Sequence, residues 1–112
     1  MIDQAAKRKI LGLAGLGIRG RLAVVGVQQV RDAARRGKVK IALVASDASQ
    51  NSLDKIVSLL AAKKVRVIDE LSSRELGEIA GRDAVAVIGV SDAGLAKGIA
   101  DAIKVGFPGG SA

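Results

Sequence analysis

Two runs of this sequence are apolar at almost every consecutive position: Ile41 to Ala45 (IALVA, following Lys40) and Ala84 to Val90 (AVAVIGV). A strand with water on one face alternates apolar and polar side chains, so runs without alternation must be covered on both faces. The intervening segments show helical periodicity instead. Leu53, Ile56, Val57, Leu60 and Ala61 recur at i, i+3, i+4, i+7 and i+8, the clearest helix in the chain. Doubly covered strands alternating with one-faced helices require a sheet between two helix layers.

The remaining elements follow in order. Asp3 is placed to cap a first helix whose Ala6, Ile10, Leu13 and Ala14 share a face, ending near Gly15. Gly15 to Gly20 (GLGIRG) then reads as a flexible, basic, glycine-rich connection in which Arg19 and Arg21 can touch phosphates. It matches G-x-G-x-x-G in letters, but it lacks the preceding strand and the acid about 20 residues later that give that fingerprint meaning. Leu22 to Val25 is a short strand. In Gly26 to Gly37 (GVQQVRDAARRG), Val27, Val30 and Ala34 mark the dry side of a second helix, and Gln28, Gln29, Asp32, Arg35 and Arg36 its wet sides. After the strand from Lys40 to Ala45, Ser46 to Ser49 (SDAS) offers capping oxygens. Val65 to Asp69 is a short strand, Asp69 to Ser73 (DELSS) a loop, and Ser72 with Glu75 a capping box for a helix that Gly81 stops. Ser91 or Asp92 caps a last helix with Leu95, Ile99, Ala102 and Ile103 inward. In it Gly94 and Gly98 cost about 1 kcal/mol each relative to Ala unless they permit close packing on the sheet. The order α-β-α-β-α-β-α-β-α predicts an α/β chain, a three-layer α/β/α sandwich with a sheet of about four strands. With 112 residues, 49% of them apolar, a single core is expected, giving one domain over 1–105 and a flexible tail (GFPGGSA) over 106–112.

Composition narrows the chemistry. Without Cys or His there are no disulfides, thiolates, imidazole bases or usual zinc ligands, and no nucleophile and base pair is identifiable, so neither an enzyme nor a metal or cofactor is expected. Phe107 is the lone aromatic residue, which removes base stacking on aromatic platforms as a binding mode. Lys7, Arg8 and Lys9 precede an apolar run broken by Gly12, Gly15 and Gly17, with no small-residue cleavage site after it. No secretory signal or membrane span is expected, and the chain reads as a cytoplasmic protein, monomeric when free. The net charge of +7 is uneven: residues 1–40 hold ten Lys or Arg against two acids, whereas residues 41–112 hold eight against nine. Localised positive charge is the footprint of a polyanion partner, nucleic acid first and acidic membrane second.

Several blocks in succession then resemble one family: LGLAGLG (Leu11 to Gly17), GVQQVRDAARRG, KIALVASDAS (Lys40 to Ser49), ELSSRELGEIAG (Glu70 to Gly81) and VAVIGVSDAGLAKGI (Val85 to Ile99). Together they are similar to the kink-turn RNA-binding ribosomal proteins of the L-seven-Ae and L-thirty-e type, most of all the small bacterial members called YlxQ-type. The resemblance implies the sandwich already inferred and a role in binding structured RNA. It implies a contact surface made by the N-terminus of the second helix and the loop leading to the fourth. The family pattern Gly, any residue, Asn, Glu, two residues, Lys falls on Gly26, Gln28, Gln29 and Asp32. Gly26 matches outright, Gln28 keeps the amide chemistry, Gln29 lacks the negative charge, and Asp32 puts a carboxylate in place of the lysine. Leu71 stands where the family sets an apolar residue against an extruded nucleotide, with Ser72 and Ser73 as its polar followers. The capping box explains the same serines without RNA.

The expected function is therefore an RNA-binding, ribosome-associated protein that recognises a kinked, bulged or looped RNA. Gly26, Val27, Gln28 and Gln29 would dock against it within a cationic rim of Arg31, Arg35, Arg36 and Lys38, with Arg19 and Arg21 on phosphates. The alternative is a protein-interaction module on the same fold with a degenerate RNA site.

Overall fold

A computed structural model describes residues 3–105. Its elements are α1 (Gln4–Arg19), β1 (Ala23–Val25), α2 (Val27–Arg35), β2 (Ile41–Ala45), α3 (Gln50–Ala62), β3 (Arg66–Leu71), α4 (Ser73–Ala80), β4 (Val87–Val90) and α5 (Ala93–Val105). The alternation matches the expected order. The strands form one mixed sheet in the order β1-β4-β2-β3, with β2 and β3 parallel and β4 antiparallel to both β1 and β2.

The pleat explains why β2 is apolar throughout. Ile41, Leu43 and Ala45 enter a core shared with α1, α4 and α5, while Ala42 and Val44 enter a second core shared with α2 and α3. β4 is divided likewise, with Ile88 and Val90 on the first side and Val87 on the second. Gly89 leaves space for α2, since a Cβ there would lie 3.3 Å from the methyls of Val30 and Val39.

Local capping chemistry behaves as the sequence suggests at three helix starts. The Asp3 carboxylate accepts from the Ala6 N–H at 2.7 Å, and Ser72 and Glu75 form both halves of a capping box at 3.1 and 2.9 Å. At α5 the cap is Asp92, which accepts from the Leu95 N–H at 2.9 Å, while Ser91 donates to the Leu22 carbonyl.

Three expectations are corrected. First, GLGIRG is not a flexible connection. α1 continues to Arg19, with Gly15 and Gly17 buried. A Cβ at Gly17 would stand 3.2 Å from both the Ala23 Cβ and a Leu95 methyl, so the glycines bring the helix onto β1 and α5. Second, Asp69 to Leu71 is strand, reached through a register shift between Leu43 and Ala45 of β2. Third, Gly98 packs against Leu13 of α1, 3.0 Å from where its Cβ would be, and not on the sheet. The tail expected over 106–112 lies outside the described residues.

Candidate nucleic-acid interface

One end of the sheet gathers three helix N-termini, those of α2, α3 and α4. Gly26 donates to the Val87 carbonyl at 2.9 Å, Ser46 donates to the Leu71 carbonyl at 2.8 Å, and Val44 pairs with Val87. The starts of α2 and α4 therefore lie at the same end of the sheet, at its two edge strands, with the β2–α3 loop beside α4. Gly26 takes φ +101°, ψ 155°, a conformation open essentially to glycine alone, and this turns the chain sharply from β1 into α2. No side chain caps α2, so the N–H groups of its first turn are presented at the surface. Gln28 and Gln29 are exposed, while Val27 anchors the turn against the second core. Asp32 accepts from the Gln28 amide at 3.2 Å, which lays that side chain along the helix.

A cation missed in the sequence stands here. The guanidinium of Arg82 lies 4.0 Å from the point where a Cβ on Gly26 would sit. Arg82 follows Gly81, the left-handed C-cap of α4, and its N–H donates to the Gly77 carbonyl at 2.9 Å. Gly77 holds that return tight, because a Cβ there would meet the Arg82 carbonyl at 2.7 Å. The available signal was a lone arginine after a helix-stopping glycine, which without the sheet order points nowhere.

At the start of α4, Ser72 and Ser73 are half-buried. Asp47, expected to help cap α3, instead accepts from the Ser73 N–H at 2.7 Å and from its hydroxyl at 3.0 Å. The Ser73 backbone bond, followed by the hydroxyl bond, holds the Asp47 carboxyl below the usual carboxylate range. Glu75 is likewise lowered, chiefly by the Ser72 backbone N–H, with a smaller contribution from Lys7 at 3.3 Å. Leu71 is fully buried in the first core, so contact with a nucleotide would require it to leave that core.

The expected cationic rim does not surround this tip. α2 is about 13 Å long at 1.5 Å per residue, and Arg35, Arg36 and Lys38 lie at its far end, where Lys40 donates to the Val90 carbonyl. Arg19 and Arg21 stand at that far end as well, ahead of the Ala23–Val90 pair. Arg31 is midway along α2 and half-buried, its Nε shielded from solvent and without a hydrogen-bond partner among the described residues. The structure thus brings Gly26 to Gln29 and Arg82 together, sets Ser72 and Ser73 at the same end of the sheet beyond β4 and β2, and separates all of them from Arg19, Arg21, Arg35 and Arg36. Among the described residues no group of three acids could hold a metal ion, and no helix is long and apolar enough to cross a membrane.

The geometry has counterparts. The profile of the ribosomal protein L7Ae/L30e/S12e/Gadd45 family matches residues 18–100. Among solved structures the chain is similar to a protein of unknown function from Bacillus halodurans, with TM-score 0.78 and 31% identity over 86% of this chain and 97% of that one. It is similar in fold to the 15.5kD RNA binding protein of Giardia lamblia, with TM-score 0.77 and 17% identity over 93% of this chain and 89% of that one. No curated protein sequence matches it.

Proposed function

Because the chain belongs to the ribosomal protein L7Ae/L30e/S12e/Gadd45 family, we propose that it binds structured RNA, taking a kinked, bulged or looped element of the kind ribosomal RNA supplies against the tip of α2. The observation that carries this reading is the uncapped start of α2 on Gly26, flanked by exposed Gln28 and Gln29. Glutamine amides both donate and accept, so they can bond base edges that a regular duplex hides in its deep groove but a bend or loop exposes. Free backbone N–H groups at the helix start and the Arg82 guanidinium supply partners for phosphate oxygens. The RNA binding of the Giardia protein, which has the same fold, supports the assignment.

Asp32 sets the character of the site. It offers no cation and engages Gln28, so Gln29 and Arg82 carry more of the contact than a lysine-bearing tip would leave to them. Ser72 and Ser73, at the same end of the sheet but on its β3 side, offer hydroxyls that still accept. The reading is of a binder and not of a catalyst.

A gel-shift series tests it, with a kink-turn hairpin and ribosomal RNA fragments as probes. The wild-type chain is expected to bind. Replacing Gln28 and Gln29 together by Ala is expected to weaken binding by about tenfold or more, the loss typical of one good base contact. Absence of binding even at low salt overturns the proposal.

A further inference from the structure

The sheet's opposite end carries a charge pattern that helix-end electrostatics explains only in part. Ala23, Val90, Ile41 and Arg66 form one row across the four strands, and three of those strands are entered from a helix C-terminus. The last turn of α1 carries Arg19 and the turn after it Arg21. The turn after α2 carries Arg36, Lys38 and Lys40, and the turn after α3 carries Lys63 and Lys64 ahead of Arg66. All are exposed, and none is in an ion pair among the described residues. The carboxylate beside the row, Asp92, is engaged by the Leu95 N–H.

Cations in the last turn of a helix oppose the negative end of its macrodipole, which accounts for Arg19 and Arg36. Lys63 and Lys64 close α3 in the same way, Lys64 at φ +58° with its N–H on the Ala61 carbonyl, so the same dipole accounts for them. Lys40 and Arg66 flank strand starts, where no helix end calls for them. Four strands at about 4.8 Å spacing make this edge about 14 Å wide, and helix layers widen it on both sides, enough for several phosphates of one duplex.

We infer that this end is a second RNA-binding surface, one that holds duplex RNA by its phosphates and reads no bases. RNA is favoured over an acidic membrane because the cations come from separate turns around a sheet end. No helix there has an unburied apolar face to insert, since Leu16 and Leu22 are the only large apolar side chains exposed on the α1 side among the described residues. The choice of RNA rests on the reading of the α2 tip. The protein would then join two RNA segments, a distorted one at the tip and a regular one at the rim.

The test uses the full chain and three probes: a plain RNA duplex of about 20 base pairs, long enough to cross the rim, a kink-turn hairpin, and vesicles of anionic lipid. The duplex is expected to bind at low salt and to weaken about a hundredfold for a fourfold rise in salt, the slope of about four neutralised phosphates. Charge reversal K40E, K63E, K64E, R66E is expected to abolish duplex binding. Gln28→Ala with Gln29→Ala is expected to leave duplex binding unchanged. A circular dichroism melt of the reversal variant guards against misfolding, and the milder K40Q, K63Q, K64Q set, expected to weaken duplex binding about tenfold, replaces it if folding is lost. Hairpin binding with no duplex binding, or duplex binding indifferent to both rim sets, overturns the inference and leaves the α2 proposal standing. Rim-dependent duplex binding without preference for the hairpin removes the α2 proposal and leaves the rim. Rim-dependent vesicle binding without duplex binding assigns the surface to lipid and overturns the inference.

Discussion

Asp47 accepts two hydrogen bonds from Ser73, one from its backbone N–H at 2.7 Å and one from its hydroxyl at 3.0 Å. This ties the β2–α3 loop to the first turn of α4 and places a carboxylate at an end where the proposed ligand is an anion. Asp47→Asn keeps an acceptor for the N–H and removes the charge, so RNA affinity is expected to rise a few-fold at low salt. A salt-dependent filter-binding series measures it, and unchanged or weaker binding would count against RNA approaching α4.

The same pair predicts an acid response. The folded pKa of Asp47 is depressed, so its contribution to stability is present above the ordinary value of 3.8 and is lost as pH falls through the folded value. Glu75 behaves alike below its ordinary 4.5, again with the charged form favoured by native hydrogen bonds. Urea midpoints should therefore be flat between pH 7 and 5 as far as these groups go and fall below pH 4.5. Glu75→Gln should blunt that fall. At neutral pH, Ser72→Ala is expected to cost about 1 kcal/mol, the usual worth of a helix cap.

Leu71 separates core from contact. A residue with 0% exposure should lose about 2–5 kcal/mol on truncation to Ala, and less than about 1.5 kcal/mol on the volume-conserving change to Met. Leu71→Met is expected to leave RNA affinity unchanged in the same gel shift. A loss of binding without a loss of stability would show that Leu71 leaves the core to meet a nucleotide.

Gly77 fixes the loop that carries Arg82. A Cβ there would stand 2.7 Å from the Arg82 carbonyl and 2.9 Å from backbone atoms of Ala84, none of which can rotate away. Gly77→Ala is expected to destabilise the fold by about 1–3 kcal/mol through overpacking. It should also weaken RNA binding more than its stability loss explains, because Arg82 moves. Arg82→Ala provides the control, with binding reduced and the denaturation midpoint unchanged.

The layered fold was legible because unbroken apolar runs and helical periodicity each leave few arrangements. Caps were legible because Asp3, Ser72 and Glu75 act on residues three positions away. What escaped depends on the third dimension. GLGIRG has the composition of a loop, and only packing against Ala23 and Leu95 reveals its glycines as contact points within a helix. The basic first third looked like a single surface, yet α1 and α2 cover opposite faces of the sheet, and Lys63, Lys64 and Arg66 join the rim from later in the chain. Arg82 reaches the α2 tip only through the β1–β4 pairing.

The central claim is that RNA meets the protein at the start of α2, and an amide-resolved NMR titration with a kink-turn hairpin tests it most directly. The account predicts that the backbone signals of Gly26 to Gln29, together with those of Ser73 and Arg82, shift first and saturate together. Shifts confined to other surfaces, with those amides unmoved at saturation, would contradict it.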